Sequence, residues 1–133
     1  MMATTDGMVA HMARLHHVNL GIPVGGTDAE AGFLVDLLGY KRVEPPAALA
    51  AVAKWFEYED GTQIHLSEDP DHRPAARAHV AVELGEQLSA LEKVFDHVGY
   101  AYTSFDSQDM RIVFCEDPAG NRWELRGPQR RSA

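Results

Sequence analysis

Leu15-His16-His17-Val18-Asn19-Leu20 returns 62 residues later as Arg77-Ala78-His79-Val80-Ala81-Val82, and these two stretches decide the fold. Each alternates apolar and polar side chains, the two-residue period of a half-buried strand. Each sets a histidine before its first valine, so His17 lies over His79. A second match follows in the same order. Gly61-Thr62-Gln63-Ile64-His65-Leu66 reads against Gly120-Asn121-Arg122-Trp123-Glu124-Leu125, 59 residues on, which places His65 over Glu124. Between them, Val35-Asp36-Leu37-Leu38-Gly39-Tyr40 matches Phe95-Asp96-His97-Val98-Gly99-Tyr100 at an offset of 60. Three matches in nearly one register mark an internal repeat, two copies of one supersecondary unit.

The unit itself can be read outward from these stretches. After the first strand, Thr27 with Glu30 three residues later has the form of a capping box that opens a helix. Ala31, Leu34 and Leu38 share one face of that helix, and Gly39 is its stop. Residues 40–44 read as a short strand closed by Pro45-Pro46, and the Ala-rich stretch 47–53 as a loop or a short helical turn. Residues 54–59 and 62–66 are strands joined by an Asp60-Gly61 hairpin turn. The first unit is therefore β-α-β-β-β. Residues 67–76 form a polar, Pro-containing connector. The second copy has strands at 77–84, 100–104, 111–115 and 121–125. Its helix at 86–98 carries Leu88, Leu91, Phe95 and Val98 on one face and stops at Gly99. The expected organisation is a loose arm at 1–14, one α+β domain at 15–126 (modules 15–66 and 77–126) and a polar tail at 127–133.

Composition narrows the partners. The chain has 133 residues, enough for one domain with a real core. A net charge of −8 opposes binding to nucleic acid or an anionic membrane surface, both of which need a surplus of Lys and Arg. No apolar run approaches the length of a membrane span. The single Cys115 cannot form an internal disulfide, so a cytoplasmic setting is the default expectation. It follows an apolar run, Ile112 to Phe114, and reads as a buried, inert thiol.

The alternation also sorts the residues that carry chemistry. Val18/Leu20, Ile64/Leu66, Val80/Val82 and Trp123/Leu125 hold one parity of their strands. His17, His65, His79 and Glu124 hold the other, and opposite parity means the opposite face of the sheet. All four are therefore expected on the face that the helices leave uncovered. Gln63, Arg77 and Arg122 each precede one of them by two residues and share that face. They are candidates for contact with an anionic substrate, or Arg77 and Arg122 for pairing with Glu83 or a neighbouring acid. Glu83 has the right parity but reads as a rim charge at a strand end. His16 has the wrong parity and is expected under a helix. His72 and His97 read as non-ligands. Trp55, Phe56 and Tyr58 can line a pocket or fill the core.

These residues are where the chain resembles the vicinal oxygen chelate superfamily, which includes glyoxalase I, methylmalonyl-CoA epimerase, extradiol dioxygenases, fosfomycin-resistance enzymes and bleomycin-binding proteins. The resemblance runs through His17-Val18, Phe33 with Leu37-Leu38-Gly39-Tyr40, Gly61 to Leu66, His79-Val80 and Asp117 to Leu125, and spans residues 15–126. It implies two βαβββ modules forming a cupped eight-stranded mixed sheet, helices outside, around one divalent metal ion per site. By position the implied ligands are His17, His65, His79 and Glu124. His65 departs from glyoxalase-like members, which carry a carboxylate or amide there. Extradiol enzymes need only the equivalents of His17, His79 and Glu124.

Three imidazoles and a carboxylate suit Zn, Fe(II), Ni or Co better than Mg or Ca. A substrate with two adjacent oxygens could chelate such an ion, which would act as a Lewis acid and stabilise an enediolate or alkoxide. Glu124 is the candidate for moving the proton. The expected function is a metal-dependent enzyme on a small oxygenated metabolite: lyase, isomerase or epimerase first, ring-cleaving dioxygenase second. The alternative is a metal-free protein that sequesters a drug or natural product. The resemblance and the exposed strand edges both imply a homodimer.

Overall fold

The structure is a computed structural model and describes residues 12–130. The expected arm therefore falls outside the described residues up to position 11, and so does the end of the polar tail from 131 to 133. The elements run β1 (His17–Ile22), α1 (Thr27–Ala31), β2 (Lys41–Val43), β3 (Lys54–Glu57), β4 (Gln63–Glu68), β5 (His79–Glu83), α2 (Gln87–Val98), β6 (Tyr102–Asp106), β7 (Arg111–Glu116) and β8 (Arg122–Arg126). The Ala-rich stretch folds as a single 3-10 turn, Ala47–Leu49.

The eight strands divide into two mixed sheets of four, ordered β1-β4-β3-β2 and β5-β8-β7-β6. In each, the first strand runs parallel to the fourth and the other pairings are antiparallel. The repeat extends to register: His17 sits beside Gln63, and His79 beside Arg122. Each helix segment ends at a glycine in the left-handed region, Gly39 at φ +83° and Gly99 at φ +74°. A side chain there would be strained, so these residues turn the chain back toward its sheet.

Both modules contribute to one core. Ile22, Leu34, Phe56, Leu66, Phe95, Val113, Trp123 and Leu125 are buried, most of them fully. Phe33 crosses between modules, with its ring 5.4 Å from Trp123 and 6.3 Å from Tyr100. The turn before β8 is organised by Asp117. Its Oδ1 accepts the backbone N–H groups of Ala119 and Asn121, and its Oδ2 accepts the indole N–H of Trp123. Burying an indole N–H without such a partner is costly.

Three local expectations are corrected. The capping box does not form: the helix is capped by Gly26 without a side-chain bond, and the Thr27 hydroxyl donates to Glu68 at 2.9 Å. Glu30 is instead fully buried. Its Oε1 accepts the Ala119 N–H from the other module, while its Oε2 has no partner among the described residues. Burial, with the Asp117 carboxyl alongside, pushes its pKa up to about 9. Second, α1 does not continue as a regular helix. Gly32–Leu37 is a π-helical turn, and Leu34 and Leu38 are buried in the core as their shared face implied. Third, Val98 is 63% exposed and does not join Leu88, Leu91 and Phe95 in the core. No helix among the described residues is long and apolar enough to cross a membrane.

Candidate metal centre

The strands place the four candidate ligands as two pairs. In module two, β5 and β8 lie side by side and bring His79 Nε2 to 3.1 Å from Glu124 Oε1. Two donors bound to one ion at right angles, with bonds of about 2.0–2.2 Å, stand about 3 Å apart. The pair therefore has the spacing of neighbouring ligands. The Nδ1–H of His79 donates to the Arg77 carbonyl at 2.9 Å, and Nε2 is hydrogen-bonded to Glu124, a bond that an ion between the two would replace. The second oxygen of Glu124 is ion-paired with Arg126, a residue the sequence reading did not single out. Its signal was available: Arg126 lies two positions beyond Glu124 and shares its face.

In module one, β1 and β4 bring His17 and His65 together with ring centroids 3.9 Å apart and planes 14° from parallel. Trp55, across the sheet from His65, stacks on the other side at 4.5 Å and 8°. His65 is thus sandwiched between two rings and only 9% exposed. Burial, reinforced by the neighbouring imidazoles of His17 and His16, lowers its pKa to about 4. The ring is neutral at pH 7, the form that ligates. Stacked rings direct their lone pairs into parallel planes, so one ring must turn before both can meet one ion.

His16 is not under a helix. It precedes the first strand residue, is exposed, and its Nδ1 lies 2.9 Å from His17 Nδ1. Parity did not apply to it because the strand begins one residue later. His72 bonds the Ala119 carbonyl and His97 is exposed on α2.

Gln63 is fully engaged, its Nε2 donating to Glu57 and its Oε1 bonding His65 Nε2, both at 2.7 Å. Arg122 forms no ion pair with Glu83 or any other described acid. Its guanidinium lies over the Phe114 ring at 4.7 Å, on the polar face. Arg77 likewise has no described acid partner. A cavity of about 370 Å³ opens between the modules, with Asn19, Arg73, His79, Asn121 and Arg122 in its wall. Among the described residues, no three His, Cys, Asp or Glu side chains gather closely enough to hold one ion. By donor chemistry the two pairs together fit a divalent ion of the zinc type; within one chain they stand apart.

No family model and no curated protein matches the sequence. Solved structures do. A Bacillus anthracis protein placed in the glyoxalase family superposes with a TM-score of 0.79 at 23% identity, covering 91% of this chain and 99% of that one. A glyoxalase/dioxygenase from Nostoc punctiforme gives 0.75 at 20% identity, covering 96% and 99%. The chain has the vicinal oxygen chelate fold. The fosfomycin resistance protein FosX from Listeria monocytogenes shares this fold with a TM-score of 0.69 at 14% identity, covering 87% and 93%. The two candidate pairs lie on the first and fourth strands of each module, which run side by side and parallel.

Proposed function

We propose that the protein is a divalent-metal-dependent enzyme acting on a small oxygenated anion, with each site completed between two chains of a homodimer. The observation that carries this reading is the division of the donors. His17 and His65 form one pair and His79 and Glu124 another, on equivalent strands of two modules. A second copy of the chain can set the first pair of one subunit against the second pair of its partner. A two-fold axis then makes two equivalent sites.

When bound, the ion would supply Lewis-acid polarisation of two neighbouring substrate oxygens. The remaining work falls to this chain's residues. Glu124 takes and returns the substrate proton, and Arg126 holds its carboxylate in place. Arg122, kept in position by Phe114, receives the anionic end of the substrate, with Arg77 as a second cation near His79. Trp55 shields His65 from water. Lyase, isomerase or epimerase chemistry needs all four donors, whereas ring cleavage by a dioxygenase needs three. The flat Trp55–His65–His17 stack is the observation that favours the second reading, a metal-free protein that sequesters a planar natural product. Metal content of the purified protein separates the two: about one ion per chain supports the enzyme, and none supports the binder.

A further inference from the structure

The candidate imidazoles are not held through the same nitrogen. His79 donates from Nδ1 to the Arg77 carbonyl and turns Nε2 to Glu124, and His17 is tied through Nδ1 to His16. His65 is tied through Nε2, to the amide oxygen of Gln63 at 2.7 Å. The other end of that amide donates to Glu57 Oε1, also at 2.7 Å. Glu57 and Gln63 are a directly opposed cross-strand pair of β3 and β4, and Gln63 shares its face with His65 two residues on. All three are half-buried or buried.

The chemistry of these partners runs in one direction. A carboxylate can only accept, so the NH₂ end of the Gln63 amide must point at Glu57. The end left facing His65 is then a carbonyl, which also can only accept. His65 must therefore donate, and its proton sits on Nε2. The lone pair is left on Nδ1. The stacked rings of His17 and Trp55 present their faces to His65 and do not compete for either nitrogen.

We propose that Glu57 is a positioning residue: acting through Gln63, it fixes the tautomer of His65 so that this imidazole offers Nδ1, not Nε2, to what binds on the polar face. Gln63 is then a relay and not a contact for substrate, because both ends of its amide are in use. The inference rests on the reading of His65 as part of the site, but its first test needs neither metal nor substrate. Long-range ¹H–¹⁵N correlation of the histidine rings in the metal-free, full-length protein should show His65 protonated at Nε2 and bare at Nδ1. In Glu57→Gln, residue 57 can donate as well as accept, the Gln63 amide is free to turn, and His65 should become a mixture of tautomers. Gln63→Met should release the tautomer in the same way, and backbone amide spectra of both variants show whether each is folded. Zn(II) binding should weaken by about 10–100-fold in Glu57→Gln, the usual cost of losing a partner that orients a ligand. A wild-type His65 protonated at Nδ1, or a tautomer unchanged in both folded variants, overturns the proposal. If the tautomer responds as expected but the His65 signals ignore added Zn(II), the relay stands and the role of His65 as ligand falls.

Discussion

Modules one and two have the same strand order and the same register, yet they hold their polar-face groups by different means. In module one they are two imidazoles stacked with the ring of Trp55, and Gln63 bonds one of them. In module two they are a histidine and a carboxylate, 3.1 Å apart and tied to Arg77 and Arg126. The helices differ as well, α2 being a regular twelve-residue helix and α1 five residues followed by a π turn. A repeated backbone thus fixes where a group stands, while its neighbours decide its charge and which atom it offers. On the proposed reading, the module whose pair includes a carboxylate is the one that moves protons.

The largest expected effect tests that division of labour. Glu124→Gln should keep the fold and cut turnover on the true substrate by about 10²–10⁴-fold, because an amide cannot accept the proton. Unchanged turnover would remove Glu124 from that role. His65→Gln, its counterpart in module one, should be tolerated by a three-ligand dioxygenase and damaging to a four-ligand lyase or isomerase.

Core substitutions come next. Trp123 and Ile64 occupy matching positions. Trp123→Ala should cost about 3–5 kcal/mol in urea unfolding, and Ile64→Val about 0.5–1.5 kcal/mol. Equal costs would mean that the indole, with its bond to Asp117, matters no more than one methyl group.

Glu30 joins the two modules and gives a pH test. Its carboxyl ordinarily titrates near 4.5, and burial beside Asp117 raises it to about 9. Between those values the folded state keeps a proton that the unfolded state has lost. The stabilisation is therefore fully present below about pH 4.5 and is lost as pH rises through about 9. Glu30→Gln mimics the protonated form, so it should melt close to wild type at pH 5 and several degrees above it at pH 9. Parallel melting curves at both pH values would contradict the assignment.

The smallest effect concerns Cys115. Burial pushes its thiol up to about 12, so alkylation at pH 8 should be negligible in the folded protein and rapid after unfolding. Rapid labelling of the native protein would show that β7 opens.

The strands, their faces and the duplication were legible because a two-residue period and a fixed offset are local signals that tertiary packing does not erase. What was hidden depends on contacts between distant residues. Thr27 and Glu30 have the spacing of a capping box, but Glu68 takes the hydroxyl and the Asp117 turn takes the carboxyl. Parity placed His17 correctly and misplaced His16, since alternation holds only inside the strand. The π turn leaves no mark in the order of apolar residues. Arg126 was readable by the same i±2 rule that picked out Arg122, applied on the other side of Glu124. The stack on His65 was not readable, because Trp55 reaches it across the sheet.

The central claim is that each metal centre takes His17 and His65 from one chain and His79 and Glu124 from another. Mixing a His17→Ala chain with a Glu124→Ala chain, isolating the heterodimer and titrating it with Zn(II) tests this directly. Each variant alone should lose tight binding at both sites. The heterodimer retains one site with all four side chains, so the account predicts one tightly bound ion per dimer. No tight binding in a proven heterodimer, while wild type binds one ion per chain, would contradict it and place each site within a single chain.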